Sequence, residues 1–224
     1  MSTPRRDFLG WLGGSALFAS TGLPLRTPGP ASSTTLMPIA ADFDMTWVER
    51  VKGGHRAVFD SPGIGEGAAI FRAVIWKRQY KNVYGTDPAD MTAVLVLRHE
   101  GIVLAMDDAF WAEFEVGKAN KLKDDKGKKW AKTNPILSVP ADAPPAWADF
   151  TLAKFQQNGG IVLACNMAFG DIVGQYKEKG KLKTNEEARK IALTHLAPGV
   201  ILQPSGVFGA LRAQEAGCHY IIAS

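Results

Sequence analysis

The sequence predicts an α/β fold, a three-layer α/β/α sandwich around a mainly parallel sheet of five strands. Five short apolar segments end in turn residues or in a helix start, which is the pattern of buried strands. Segments with helical spacing separate them, and this alternation favours a parallel sheet covered on both faces. The chain of 224 residues is 46% hydrophobic and 21% charged, which is enough for one domain with a sizeable core.

The first part of this domain is predicted to contain two strands and two helices. The run HRAVFDS (His55–Ser61) predicts the first strand, and the spacing of Ile70, Val74 and Lys77 predicts the helix that follows. The apolar run MTAVLVLRHEG (residues 91–101) predicts a strand buried on both faces. The segment DDAFWAEF then predicts a short helix, because acidic residues in a first turn suit the helix dipole.

The second part begins with residues 115–143, a stretch too long for a simple connection, which we interpret as a lysine-rich insertion. PPAWADFTLAKFQQNGG predicts one helix, IVLAC a strand, and the residues from about Met167 to Lys179 a helix. Thr184 and Glu187 form a capping-box pattern that opens another helix. GVILQPSG, VFGALRAQEAG and CHYIIAS predict the final strand, helix and strand.

The N-terminus has the layout of an export signal. Arg5 and Arg6 precede an apolar stretch that is diluted by glycines and too short for a stable membrane anchor. The segment RRDFL resembles the twin-arginine signature, which implies export of a folded protein to the periplasm. An ordinary Sec signal or an uncleaved anchor is the alternative. We therefore expect residues 1–41 to be an export signal and flexible leader, and residues 42–224 to form the domain, with no stable membrane span after export.

The basic charge is concentrated in one segment. GKANKLKDDKGKKWAKTN (residues 117–134) holds seven lysines against two aspartates. In an exported protein we expect no nucleic-acid partner, so the segment predicts a solvated loop, with anionic lipid or an acidic partner as the alternative. Trp111, Trp130 and Trp147 flank the insertion and are predicted to cover the core.

A cysteine stands where a predicted strand meets a predicted helix. Cys165 ends IVLAC, and ligands of parallel sheets bind outside the carboxyl ends of the strands. Asn166 is predicted to cap the next helix, whose free amides and dipole would favour a thiolate. The alternative is that Cys165 packs as a small core hydrophobe.

Other strand ends are expected at the same edge. Ser61 ends the first strand and His99 the second, and we interpret His99 as the base for Cys165 or, alternatively, as a satisfied polar residue. Ser61, Asn166, Ser205 and Gly206 are the predicted substrate-binding residues, since amides that open the helix after Pro204 could hold an anion. No Cys/His spacing indicates a metal site, and no cofactor is expected.

The two cysteines are not expected to form a disulfide. Cys165 ends its strand whereas Cys218 begins the last one. In a parallel sheet a five-residue strand separates such positions by about 16 Å, while a disulfide needs Cα atoms within about 7 Å. Cys218 is therefore predicted to be a packing residue.

The segment from IVLAC through LAPGVILQPSGVFGALRAQEAGCHYIIAS resembles the DsrE-like sulfur-relay family, in which a cysteine strand precedes a PGV…PSGV tail. The resemblance implies a three-layer α/β/α fold, a homo-oligomer, and a cysteine that carries sulfur as a persulfide; only Cys165 maps onto that cysteine. The insertion and the extra helix at residues 184–196 depart from the compact family domain.

The expected function is a periplasmic thiol protein of sulfur metabolism, a sulfurtransferase or sulfur carrier. It would accept or pass sulfane sulfur through Cys165 and exchange it with small sulfur species or a sulfur-carrying partner protein. The alternative is a non-catalytic DsrE-like binding or assembly module in which the cysteine is structural.

Overall fold

The computed structural model describes residues 43–124, 126–140 and 142–224. The predicted export signal and leader, residues 1–41, lie outside the described residues. Within the described part, no helix has the length and apolar character needed to cross a membrane.

The described residues contain one sheet of five parallel strands. The strands are β1 (His55–Ser61), β2 (Met91–Leu97), β3 (Ile161–Cys165), β4 (Ile201–Gln203) and β5 (His219–Ile222). Their order across the sheet is β4-β3-β2-β1-β5. All residues of β2 and β3 are buried, as expected for inner strands covered on both faces.

Seven α-helices accompany the sheet in the described part. They are α1 (Ala68–Tyr84), α2 (Asp108–Glu113), α3 (Val116–Ala119), α4 (Leu152–Gln157), α5 (Asn166–Lys179), α6 (Asn185–Thr194) and α7 (Gly206–Glu215). α7 covers one face of the sheet, whereas α1, α4 and α5 cover the other and α6 packs on α5. The predicted α/β/α sandwich is confirmed.

Two apolar cores lie on the two faces of the sheet. Leu95 and Leu97 of β2 belong to the larger core, whereas Val94 and Val96 belong to the smaller one beneath α7. Side chains of a strand alternate between faces. Because both faces are buried, the strand shows a continuous apolar run rather than an alternating pattern.

One predicted helix is divided in two. The segment PPAWADFTLAKFQQNGG forms a 3-10 helix (Pro145–Phe150) and then α4. The backbone of Thr151 between them is extended, and its side chain accepts a hydrogen bond from the backbone N–H of Lys154. A threonine cap of this kind starts a new helix. The predicted capping box of Thr184 and Glu187 is confirmed.

The insertion is more ordered than a solvated loop. It contains α3 and a short hairpin in which Lys123 lies opposite Trp130 in an antiparallel bridge. The Asp124 carboxylate closes the hairpin by accepting the backbone N–H groups of Lys128 at 2.9 Å and Lys129 at 3.2 Å. These bonds lower the pKa of Asp124.

The three tryptophans that flank the insertion differ in burial. Trp111 is fully buried and donates its indole N–H to the carbonyl of Val103 at 2.7 Å. Trp130 and Trp147 are 39% and 50% exposed. The prediction that all three cover the core is therefore wrong for the last two, because Trp130 lies on the surface of the insertion and Trp147 on the surface of the 3-10 helix Pro145–Phe150.

Asn134 attaches the insertion to the core. Its buried side chain donates to the carbonyls of Leu104 at 2.9 Å and Met106 at 2.6 Å, and accepts the backbone N–H of Ile136 at 3.1 Å. Its own backbone N–H donates to Asp108 at 2.7 Å. One side chain thus satisfies three buried backbone groups that would otherwise lack partners.

We expect Asn134→Ala to lower the free energy of unfolding by about 3 kcal/mol, because it leaves two carbonyls and one N–H buried without partners. Urea unfolding followed by circular dichroism measures the loss. Asn185→Ala, at an exposed position in α6, is the matched control and should change stability by no more than about 0.5 kcal/mol. Equal effects of the two substitutions would contradict the anchoring role.

Candidate functional site

The predicted site residues lie at the carboxyl ends of the strands. Ser61 is the last residue of β1 and Cys165 the last of β3. His99 follows β2 by two residues, and Ser205 follows β4 by two. All the strands are parallel, so these ends lie at one edge of the sheet, which is the edge where α/β proteins bind ligands.

Cys165 is both the end of β3 and the N-cap of α5. Its Sγ accepts the backbone N–H of Ala168 at 3.4 Å, and the residue is 7% exposed. The prediction that Asn166 caps this helix is therefore wrong, because the cap is Cys165. The reason is that the backbone of Cys165 is still extended, whereas Asn166 is already the first helical residue.

Asn166 has a different role at the start of α5. Its side-chain oxygen accepts a hydrogen bond from the guanidinium of Arg189 on α6 at 2.7 Å. The same guanidinium lies 5.3 Å from the ring centroid of Phe169. The guanidinium of Arg189 therefore contacts the residue next to Cys165, and a cation at this position attracts an anionic ligand.

His99 is not paired with Cys165 in the structure. It is exposed, its backbone has a φ of 48°, and its side chain makes no hydrogen bond to any described residue. β2 ends at Leu97, so His99 opens a 3-10 helix (His99–Ala105) instead of extending the strand. The expected contact between base and thiol is absent from the described residues for this reason.

Ser61, Ser205 and Gly206 build this edge of the sheet. The Ser61 hydroxyl is buried and donates to the carbonyl of Gly63 at 2.9 Å. Ser205 caps α7 by accepting the backbone N–H of Phe208 at 3.1 Å. A Cβ on Gly206 would lie 2.5 Å from the Cβ of Arg98, so only glycine allows α7 to begin this close to β2.

The sequence interpretation missed a buried ion pair at the same edge. The Asp60 carboxylate is 1% exposed and accepts two hydrogen bonds from Arg98, from Nε at 2.8 Å and from Nη2 at 2.7 Å. The hydroxyl of Tyr220 also donates to this carboxylate. The hydrogen bonds to Asp60 raise the pKa of Arg98 and of Tyr220. The sequence contained one indication of this pair, the position of Asp60 near the end of an apolar strand. A carboxylate buried at such a position needs a cationic partner.

A second pair also escaped prediction. The Nδ1 atom of His195 lies 3.0 Å from a carboxylate oxygen of Asp107, and the ring stacks on Tyr176 with centroids 5.5 Å apart. The backbone N–H of Asp107 donates to the carbonyl of His195 at 2.8 Å. Burial raises the pKa of Tyr176. These contacts join α2, α5 and the segment before β4. The pair could not be predicted from the sequence, because Asp107 and His195 are far apart in the chain.

Both cysteines are free, which agrees with the predicted absence of a disulfide. They belong to different cores, Cys165 to the larger one and Cys218 to the smaller one beneath α7. Burial raises the pKa of the Cys218 thiol to about 11. Cys218 is therefore a packing residue, as predicted, and its raised pKa keeps the thiol protonated at neutral pH.

The described residues contain no group of three or more His, Cys, Asp or Glu side chains that could hold a metal ion. Comparison of the chain with models of protein families, with curated proteins and with solved structures found no match. The chemistry of the edge therefore has to be inferred from its own residues.

We expect Arg98→Met to lower the free energy of unfolding by about 3 kcal/mol, because it leaves the Asp60 carboxylate buried without its cation. The double variant Arg98→Met/Asp60→Leu removes both charges and should recover at least half of that loss. Urea unfolding of the three proteins provides the comparison. A double variant less stable than Arg98→Met would show that the pair is not the origin of the effect.

The buried thiol of Cys218 should make stability depend on pH in the alkaline range. Its folded pKa of about 11 lies above the ordinary value of 9.0, so its stabilising contribution is complete below about pH 9 and is lost as pH rises through about 11. Cys218→Ala should remove about 2 kcal/mol of this alkaline loss. Unfolding curves of both proteins from pH 8 to pH 11 measure the difference, and parallel profiles would contradict the assignment.

Proposed function

We propose that this protein is a thiol protein of sulfur metabolism that accepts and passes sulfane sulfur through Cys165. The observation that carries the proposal is the position of the thiol. Cys165 ends a central parallel strand and caps α5, and its Sγ accepts a backbone N–H from the first turn of that helix. Backbone N–H groups at the start of a helix attract anions, and thiosulfate, the proposed sulfur donor, is an anion.

The proposed chemistry is a transfer of one sulfur atom between thiolates. The Cys165 thiolate attacks the outer sulfur of thiosulfate, an S–S bond forms on the protein, and the S–S bond of thiosulfate breaks to release sulfite. In the second step an acceptor thiolate attacks the outer sulfur of the persulfide, and Cys165 leaves as a thiolate. Each step conserves electrons, so neither an oxidant nor a reductant is required.

The surroundings of Cys165 supply charge and an exposed surface. Arg189, held by Asn166, places a cation beside the start of α5. Met167, the residue after Asn166, is 72% exposed. Its side chain offers an apolar contact to a sulfur-carrying partner protein. In this proposal His99, which follows β2 at the same edge of the sheet, is the base that takes up the thiol proton.

We also propose that the chain is a DsrE-like protein that is exported to the periplasm and forms a homo-oligomer. The RRDFL segment supports the twin-arginine route, and the PGV…PSGV tail supports the family. The edge strand β5 supports self-association, since Tyr220, Ile221 and Ile222 are 44%, 36% and 62% exposed. Exposed apolar edge strands are usually covered by a partner.

A non-catalytic binding or assembly module is the second candidate. Its support is the low exposure of Cys165, 7%, together with its place in the larger core. Buried cysteines commonly act as small apolar residues.

The deciding experiment is loading of the purified native protein with thiosulfate or polysulfide, followed by intact-mass spectrometry. We expect a mass gain of one or more sulfur atoms that dithiothreitol removes, complete loss of this gain in Cys165→Ser, and full retention in Cys218→Ser. His99→Gln should slow loading without preventing it. If Cys165 reacts with sulfur donors or alkylating agents only after denaturation, the carrier function is refuted and the binding module takes its place.

A further inference from the structure

The insertion forms a pocket whose walls are dominated by lysine. The pocket has a volume of about 330 Å³ and lies between α2, α3 and the hairpin. Five lysines contribute to its walls against a single carboxylate, that of Glu115, among the described residues; the lysines are Lys118, Lys123, Lys128, Lys129 and Lys132. None of the residues at the strand ends that form the Cys165 site lines it.

Most of these lysines form no ion pair with an acidic side chain in the part of the chain that the structure describes. Glu115 pairs with Lys118 at 3.2 Å on the exposed surface, and the Nζ of Lys123 lies 3.4 Å from the ring centroid of Trp130. The side chains of Lys128, Lys129 and Lys132 make no ion pair with any described residue. Like charges held close together repel one another, and a concave wall focuses their field on an anion.

The walls of the pocket are fixed by the fold. The Asp124 carboxylate holds the backbone of Lys128 and Lys129. Gly117 of α3 packs so closely on the hairpin that a Cβ there would lie 2.2 Å from the carbonyl oxygen of Ala131. Backbone hydrogen bonds and close packing therefore hold the backbone of Lys128 and Lys129 and the contact between α3 and Ala131 in place.

We infer that this pocket binds a small soluble anion that carries two or more phosphate groups. Its volume of about 330 Å³ is at the lower end of the range of about 300 to 1,000 Å³ for small-molecule sites. Lysine ammonium groups are compact charges that suit phosphate oxygens, and the excess of lysines over carboxylates exceeds the charge of a single phosphate. The concave shape favours a compact anion over the flat surface of a membrane.

Titration calorimetry of the native protein with pyrophosphate tests this inference. We expect saturable binding of one pyrophosphate per chain, weaker binding of orthophosphate, and affinity that falls as sodium chloride is added. Lys128→Gln/Lys129→Gln should raise the Kd for pyrophosphate at least about tenfold. The matched control Lys81→Gln/Lys183→Gln removes two exposed lysines outside the pocket and should leave the Kd within about twofold.

Three results would overturn the inference. The first is the absence of saturable pyrophosphate binding. The second is an equal loss of affinity in the two double variants, which would indicate a diffuse effect of net charge. The third is binding to phosphatidylglycerol vesicles that depends on Lys128 and Lys129 while pyrophosphate does not bind, which would assign the lysines to a membrane. Cys165→Ser should bind pyrophosphate like the wild type, so the outcome is independent of the proposed sulfur chemistry.

Discussion

The contact between Asp60 and Arg98 joins elements that are far apart in the sequence at the carboxyl edge of the sheet. Asp60 belongs to β1, Arg98 follows β2, and the hydroxyl of Tyr220 brings in β5. Burial of a carboxylate with 1% exposure costs free energy unless a cation and hydrogen-bond donors surround it. Arg98 also packs against Gly206 and so fixes where α7 begins. One charged cluster therefore joins β1, β5, the residue after β2 and the start of α7 at the carboxyl edge of the sheet.

The burial of the central strands explains why polar groups collect at this edge. β2 and β3 are covered on both faces, and all of their residues except Thr92 and the terminal Cys165 are apolar. The first position at which a reactive side chain can meet both solvent and free amides is the end of the strand. Cys165 occupies that position in β3, and the N–H of Ala168 contacts its sulfur. The same geometry would suit either a reactive thiol or a cap, and for that reason loading with sulfur is the deciding measurement.

The insertion shows how a domain can hold many like charges in one place. The backbone of its hairpin is closed by Asp124, and Asn134 attaches the segment that follows to the core by three side-chain hydrogen bonds. These interactions use backbone groups and leave the lysine side chains available. Repulsion between the lysines lowers the free energy of unfolding. Binding of an anion would reduce this repulsion and stabilise the domain.

The sequence by itself determined the order of strands and helices, because apolar runs, caps and glycines act over a few residues. It was sufficient for the parallel α/β/α sandwich, for the capping box of Thr184 and Glu187, and for the separation of Cys165 from Cys218. Only the tertiary structure decided which distant side chains meet. Contacts between residues far apart in the chain depend on how strand ends and loops pack, and they leave no local pattern in the sequence. Examples are the pairs Asp60–Arg98 and Asp107–His195 and the attachment of Asn134. The position of His99, whose side chain makes no hydrogen bond to a described residue, was decided in the same way. The backbone conformation likewise decided which residue caps α5. Cys165 is extended and caps the helix, whereas Asn166 is already helical.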